Sequence, residues 1–576
     1  MTSAEATRPT ATRTTVVVGA GAAGAALAAR LSEDPEHRVI LLEAGPVPRS
    51  PAEFPPELLD ASTVQGAMPG HPANWSYLGN LTPDLPYTIA RGRIIGGSST
   101  INGGYFVRAR PEDFARWSVA AGPDWGYESV LPVLRHLEHD LDLGSGVFHG
   151  DAGPMPVRRA VQSNPAARAF TAAALELGFV AEPDKNAPGA PGVGPVPQNV
   201  VDGVRINTGL AYLSPARDRP NLQVIGRCRV LRVVFEGTRA VGVEVAETGG
   251  MSAASGRSGA RVASILANES GARVIPADEV VLCAGGIGTP QLLLVSGVGP
   301  AQQLRDHGVR VVHDSPGVGR AFTDHPDIAV GWRAPRNLMD PRTPETFTTA
   351  LNFVSPGGDA AGDLEIMVSV KSMNHLLTGS TSALAGGARS ALRHPLATHR
   401  SLRGLSLTRV REQALHGRDL VLLVGLQREE SRGSITLASA DPTANPRIDY
   451  RYLSTARDRE RMRFGIRTAV ALLHTRAFAQ LFEGLTELDE ATLDHDRALD
   501  AWMLTHLGTA IHLCGSAPMG PSRDPFAVVD GFARVRGVTN LRLADTSILP
   551  DTPSRGPAAT AVLVGELVAR FIRRGD

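Results

Sequence analysis

Two glycine-rich stretches carry residues whose types and spacing can do chemistry. The first is Gly19-Ala20-Gly21-Ala22-Ala23-Gly24, with Glu43 nineteen residues beyond Gly24. In such a fingerprint Gly19 allows a tight turn and Gly21 lets the backbone approach a pyrophosphate. Gly24 lets a helix pack closely on a strand. The helix N-terminus then offers N–H groups and a positive dipole end to phosphates. Glu43 falls where an adenosine ribose would sit, and its carboxylate can accept from both ribose hydroxyls and repel a 2′-phosphate. The chemistry is dinucleotide binding; the pattern does not separate FAD from NAD. The second stretch runs from Gly92 to Tyr105 and joins paired glycines to the hydroxyls of Ser98, Ser99 and Thr100. Such a backbone can wrap a phosphate or the edge of an aromatic ring, and it can equally be a flexible loop.

The surrounding pattern supplies elements to hold the first stretch. Thr15-Val16-Val17-Val18 reads as a buried parallel strand, Ala25 to Ser32 as a helix, and Val39 to Glu43 as the next strand. Together they make a βαβ unit. Further strands are expected at Leu222–Ile225, Val230–Phe235, Ala240–Val245, Glu279–Cys283 and Asn540–Asp545, with a terminal helix over Ala558–Arg574. Nucleotide-domain elements thus occur at both ends of the chain, which predicts a discontinuous domain. The middle is richer in Arg and His and carries an amphipathic helix over Arg457–His474. Gly249 to Gly271 reads as an exposed hairpin extension, and Met1 to Arg13 as a frayed tail.

Composition narrows the class. The 576 residues are 43% hydrophobic and 20% charged, as in a globular protein of two large or several smaller units. Lys+Arg 58 balances Asp+Glu 58, so no net field draws the chain to nucleic acid or an anionic membrane. All cations but Lys185 and Lys371 are arginines. Cys228, Cys283 and Cys514 lie far apart, which argues against a disulfide framework and a Cys-rich zinc site. No metal site is expected. The first residues lack an apolar core of the secretory kind, and the longest uncharged stretch, Val280 to Leu304, is broken by Gly and Pro. A cytoplasmic protein is expected, with peripheral contact at the inner membrane face left open by the arginine-rich region from Arg389 to Arg418.

Several ordered motifs together resemble the glucose–methanol–choline (GMC) flavin oxidoreductases. Gly92 through Ala115 resembles the family's first signature without a departure. Gly285 through Gly299 resembles the second, with one departure at Gly286, where a small residue bearing a Cβ is usual. Asn74-Trp75-Ser76-Tyr77, Pro316-Gly317-Val318-Gly319, Asp324-His325-Pro326 and Ser431-Arg432-Gly433 add to the match. A C-terminal match runs from His512 to Glu566. The resemblance spans Thr14 to about Arg574 and is weakest from about Arg333 to Leu420.

The resemblance implies FAD as cofactor and oxidation of an alcohol CH–OH group by hydride transfer. It implies that Glu43 holds the adenosine ribose, that Gly97, Ser99 and Asn102 line the pyrophosphate and flavin, that Val230 lies against the adenine, and that Asp545 contacts FAD. Ile101 stands where some members carry a flavin-linked His, so noncovalent FAD is expected. His512, in His512-Leu513-Cys514-Gly515-Ser516, occupies the place of the family's catalytic base; His506 matches nothing and is read as structural. The family's second His or Asn falls on Ala558, and no His or Asn occurs after Asp545. Thr560 or Arg555 could supply a donor instead.

The implied fold is α/β: a discontinuous Rossmann-like FAD-binding domain over 14–160, 205–325 and 505–576, and a substrate-binding domain of mixed sheet plus helices over 161–204 and 326–504. The altered tail suggests the mycofactocin-associated actinobacterial subfamily, with reduced mycofactocin as donor and the respiratory chain as sink. The alternatives are a small-alcohol or choline-type oxidase or dehydrogenase, and a flavin-binding protein with little turnover. The electron acceptor and the oligomeric state stay open.

Overall fold

Five short apolar runs, far apart in the chain, pair into one parallel sheet. They are β1 (Thr14–Val18), β2 (Arg38–Leu42), β3 (Leu222–Ile225), β4 (Glu279–Leu282) and β5 (Leu541–Leu543), in the spatial order β3-β2-β1-β4-β5. That is the doubly wound order, with β1 at its centre. The central strands β1, β2 and β4 are buried on both faces, which is why their sequences carry Val/Ile/Leu runs rather than an alternating pattern. The structure, a computed structural model, describes residues 13–247, 273–334, 338, 347–379 and 419–576. The expected hairpin at Gly249–Gly271, the arginine-rich region from Arg389 to Arg418 and most of the N-terminal tail lie outside the described residues.

Helix α1 (Ala22–Leu31) follows β1 and starts three residues earlier than its composition suggests, because Gly21 serves as its N-cap. Eight of its ten residues are buried, seven of them Ala or Leu and the eighth Gly24. The C-terminal helix α3 (Ala558–Arg574) packs against it without an intervening side chain. A Cβ on Gly565 would lie 2.2 Å from the carbonyl oxygen of Ala23. Helix α2 (Gly285–Val295) follows β4 and is almost wholly buried. An antiparallel ribbon of Cys228–Glu236, Arg239–Glu247 and Arg273–Pro276 projects from this assembly, and its first two strands run a little longer than the sequence predicts.

A second sheet is largely antiparallel. Its order is Gly484–Leu485, Pro326–Arg333, Leu420–Leu426, Leu364–Ser369, Phe347–Phe353 and Val193–Pro195, and Leu507–Thr509 also pairs with Pro326–Arg333. Helix Ala456–Leu473 covers one face, with Met462, Ile466 and Ala469 in a core shared with Ile366, Leu422 and Val424. The opposite face looks onto a large cavity. Pro326 pairs with Thr509, and the Ala510 N–H donates to the His325 carbonyl at 3.0 Å. This register sets the segment after Leu507–Thr509 beside the segment before Pro326–Arg333. No helix among the described residues is long and apolar enough to cross a membrane.

Lys185 and Lys371 are both buried. Lys185 Nζ donates to Glu182 at 2.7 Å, to Asn352 at 2.9 Å and to the Gly192 carbonyl at 3.0 Å. A second buried charge cluster joins Glu138, Asp140 and Asp184 to His149, Arg108 and Arg159. The ligand atoms of Glu138, Asp140 and His149 are close enough together to hold a metal ion. Three carboxylates here already face two guanidiniums and an imidazole whose pKa is raised to about 10, so the charges are matched without one.

Candidate active site

One cavity of about 1020 Å³ lies between the parallel sheet and the second sheet. Gly19, Gly21, Glu43, Gly97, Ser99, Asn102, Val230, Asp545 and His512 all line it. Gly24 does not. A Cβ there would lie 2.0 Å from the Gly19 carbonyl oxygen, so Gly24 acts by letting α1 close on the turn.

The two glycine-rich stretches meet at one end of the cavity. Gly97 has φ +53, and a Cβ on it would lie 2.7 Å from the Gly21 Cα. Bare backbone on both sides, beside the N-terminus of α1, is a cradle that suits a pyrophosphate and that side chains would fill. Glu43 immediately follows β2. Its carboxylate accepts from the Ala20 N–H at 3.0 Å and the Gly45 N–H at 2.8 Å, and burial raises its pKa. Ser99 is fixed by donating to the Gly96 carbonyl at 2.6 Å, and Asn102 Oδ1 accepts from the Gly104 N–H at 3.0 Å. Asp545, just past β5, accepts from the Gly285 N–H at 2.9 Å, Thr289 Oγ1 at 2.6 Å and the Ser547 N–H at 2.8 Å. It ties the start of α2 to the end of β5. The donor set therefore fits a dinucleotide along this side of the cavity.

His512 stands on the wall near the start of α3. Its Cε1 and Nε2 lie 3.4 and 3.6 Å from where a Cβ of Gly556 would sit, so the ring edge faces a gap that glycine leaves open. Burial, and then the nearby Arg91 guanidinium, lower its pKa to about 3, and the imidazole is neutral. Ile511, immediately before it, is β-branched with φ +61. Such a conformation costs on the order of 1–3 kcal/mol and is held only when neighbours over-determine it. Here the Ile511 N–H donates to Thr509 Oγ1 at 3.1 Å and its carbonyl accepts from Arg91 Nη1 at 2.6 Å.

Ala558 lines the cavity as the first residue of α3, beside Gly556 and Pro557. Arg555 and Thr560, the donors considered in its place, do not line it; both are buried behind the wall. His506, read as structural, does line it, stacked on Trp502 with ring centroids 4.2 Å apart.

The far wall is the second sheet. Asp327 pairs with Gly425 and Gly425 pairs with Glu365, so two acidic residues flank a glycine in one row across three strands. With strands about 4.8 Å apart, their Cα atoms are roughly 10 Å apart. Both acids line the cavity, as do Asp419 and Glu487. Glu365 Oε2 accepts from Asn352 Nδ2 at 2.8 Å and from Tyr105 Oη at 3.2 Å. Arg91, His325 and this acidic wall were not singled out by the residue pattern. Only His325 lies in a recognised motif, and nothing local marks its partner.

Comparison with known proteins agrees with the geometry. The family profiles described as GMC oxidoreductase match residues 14–327 and 429–565. The chain is 40% identical over 561 residues to an uncharacterized GMC-type oxidoreductase in the thcA 5′ region of Rhodococcus erythropolis, covering 97% of each chain. It is 33% identical over 560 residues to an oxygen-dependent choline dehydrogenase of Sinorhizobium fredii, covering 97% of this chain and 95% of that one. Among solved structures, pyridoxine 4-oxidase from Mesorbium loti superposes with a TM-score of 0.79 at 28% identity, covering 98% and 99% of the two chains.

Proposed function

The chain belongs to the GMC oxidoreductases and is an FAD-dependent oxidoreductase acting on CH–OH donors, and from that premise we propose that His512 is the base that takes the donor's hydroxyl proton. Bound FAD supplies the acceptor for the donor's C–H hydride. One observation carries the assignment: His512 is a half-buried, neutral imidazole whose Nε2 edge faces the gap at Gly556 on the cavity wall. A general base must be unprotonated before reaction, and this ring is so throughout the ordinary pH range.

The remaining roles follow the cavity. Gly19, Gly21, Gly97, Ser99 and Asn102 hold the pyrophosphate and flavin, Glu43 the adenosine ribose, Val230 the adenine and Asp545 the flavin side. The N-terminus of α3, opening at Ala558, lends its positive end to the cavity and favours negative charge there. Two sheets support the domain division, although a smaller sheet joining Tyr77–Thr82 to Arg447–Asp449 crosses it. Every strand of the parallel sheet comes from 14–160, 205–325 or 505–576, and the second sheet draws on 161–204 and 326–504 apart from Leu507–Thr509.

For the donor, the acid-bearing wall supports an alcohol with a cationic or amine-bearing group, in line with the choline named for a relative. Reduced mycofactocin passing electrons to the respiratory chain is the finer alternative, and Ala558 is its sole support. Anaerobic mixing with choline, pyridoxine, benzyl alcohol, methanol and reduced mycofactocin tests the reading. At least one donor should bleach the flavin, choline more readily than methanol. A flavin that none of them bleaches would instead mark a binding protein without turnover.

A further inference from the structure

The base assignment leaves open which nitrogen of His512 carries the proton, and the chain around it answers. His325 is fully buried, and its Nε2 lies 3.0 Å from the Pro553 carbonyl oxygen. A carbonyl only accepts, so Nε2 carries a hydrogen. Burial, then His512, then Arg428 hold the His325 pKa well below its ordinary value. A neutral ring with its hydrogen on Nε2 has a lone pair on Nδ1. That Nδ1 lies 3.0 Å from Nδ1 of His512. His512 must therefore donate from Nδ1, and as a neutral ring it has no second proton. Its Nε2, toward the Gly556 gap, is left bare.

We propose that His325 is a positioning residue that fixes His512 in the tautomer with Nδ1 protonated, so that the Nε2 lone pair faces the donor. The inference rests on the reading of His512 as the base.

The backbone is built to keep this contact. Asp324 Oδ1 accepts from the backbone N–H of His325 at 2.7 Å and from that of His512 at 2.6 Å. Thr323 and Cys514 exchange backbone hydrogen bonds at 3.0 and 2.9 Å. The two histidine segments are thus stapled on both sides of the ring contact. The charged and titratable groups facing the pair are Asp324, Arg91 on the His512 side and Arg428 on the His325 side, with Tyr450 and Tyr452 against Asp324. The positive charges of Arg91 and Arg428 both oppose protonation, so neither ring is held as imidazolium at rest; only a hydrogen on both Nδ1 atoms at once would make the contact repulsive.

Neutron diffraction from deuterium-exchanged crystals of the wild-type holoenzyme tests the proposal directly. It should place deuterons on His325 Nε2 and His512 Nδ1 and none on His512 Nε2. A deuteron on His512 Nε2 overturns it. Anaerobic flavin reduction by the fastest of choline, pyridoxine and benzyl alcohol gives the second readout. His325→Ala should lower kcat by about 10–10²-fold with KM little changed, as for lost outer-shell orientation of a ligand or reactant. His325→Asn, whose Oδ1 can accept near the position of Nδ1, should recover much of the loss. If His512→Ala slows reduction and folded, FAD-loaded His325→Ala does not, the positioning role fails alone. If His512→Ala itself has no effect, the base reading fails. If the His325 variants do not fold, the neutron result decides.

Discussion

The carbonyl oxygen of Leu513 lies 2.6 Å from where a Cβ on Gly286 would sit, and the Leu513 Cδ2 lies 2.7 Å from it. The departure in the second signature therefore packs against the residue that follows His512. Leu513 adjoins His512, so crowding at residue 286 would push the base. Gly286→Ala should slow flavin reduction by up to about 10²-fold, the scale for an ångström of misplacement, with FAD retained. Stopped-flow reduction of the loaded variant checks this. Wild-type rates would show that the segment yields without moving His512.

Ile101 is buried and packs beneath Gly66. It offers no nitrogen to a flavin. Acid precipitation of the yellow protein should release all the FAD into the supernatant. Flavin absorbance staying with the denatured chain would contradict noncovalent binding.

Ala558 leaves the wall beside His512 without a hydrogen-bonding side chain at the place of the family's second residue. Ala558→Asn should raise the efficiency on methanol, ethanol or benzyl alcohol by roughly 10²-fold if orientation of the hydroxyl is what small donors lack. Comparing kcat/KM for these donors on both proteins measures it. Wild-type efficiency already near the upper part of the usual range of about 10⁴–10⁸ M⁻¹s⁻¹ would show that no second residue is needed.

His149 links acid strength to stability. Burial alone would lower its pKa, but hydrogen bonds with Asp140, Asp184 and Glu138 more than offset this and raise it from 6.5 to about 10. A raised pKa means the native state holds the proton more tightly. The stabilisation is fully present below pH 6.5 and is lost as pH rises through about 10. His149→Gln should destabilise by about 3–5 kcal/mol at neutral pH, as expected for breaking a buried charge set. Its Tm should fall less than that of wild type between neutral pH and pH 10. Parallel Tm–pH curves for the two proteins would contradict the role.

The parallel sheet was legible because strands buried on both faces leave unbroken apolar runs, and Gly19–Gly24 marks the turn after β1. The terminal helix Ala558–Arg574 was legible as well. Residues whose meaning depends on a distant partner were not. His325 is one buried histidine until the pairing of Pro326 with Thr509 brings it to His512. Gly286 shows as an oddity, but its reason is a carbonyl more than two hundred residues away. The acidic row of Asp327 and Glu365 exists only once three strands are in register. Gly24 lies off the cavity wall, at the close approach of helix and turn that its place in the fingerprint implies.

The central claim is that the bare Nε2 of His512 removes the donor's proton as its hydride leaves. The direct measurement is the rate of anaerobic flavin bleaching in His512→Ala against wild type, each fully loaded with FAD and mixed with the fastest donor found. The account predicts a fall of about 10²–10⁴-fold, the range for loss of a general base, with the flavin spectrum before mixing unchanged. Equal bleaching rates in the two proteins would contradict it.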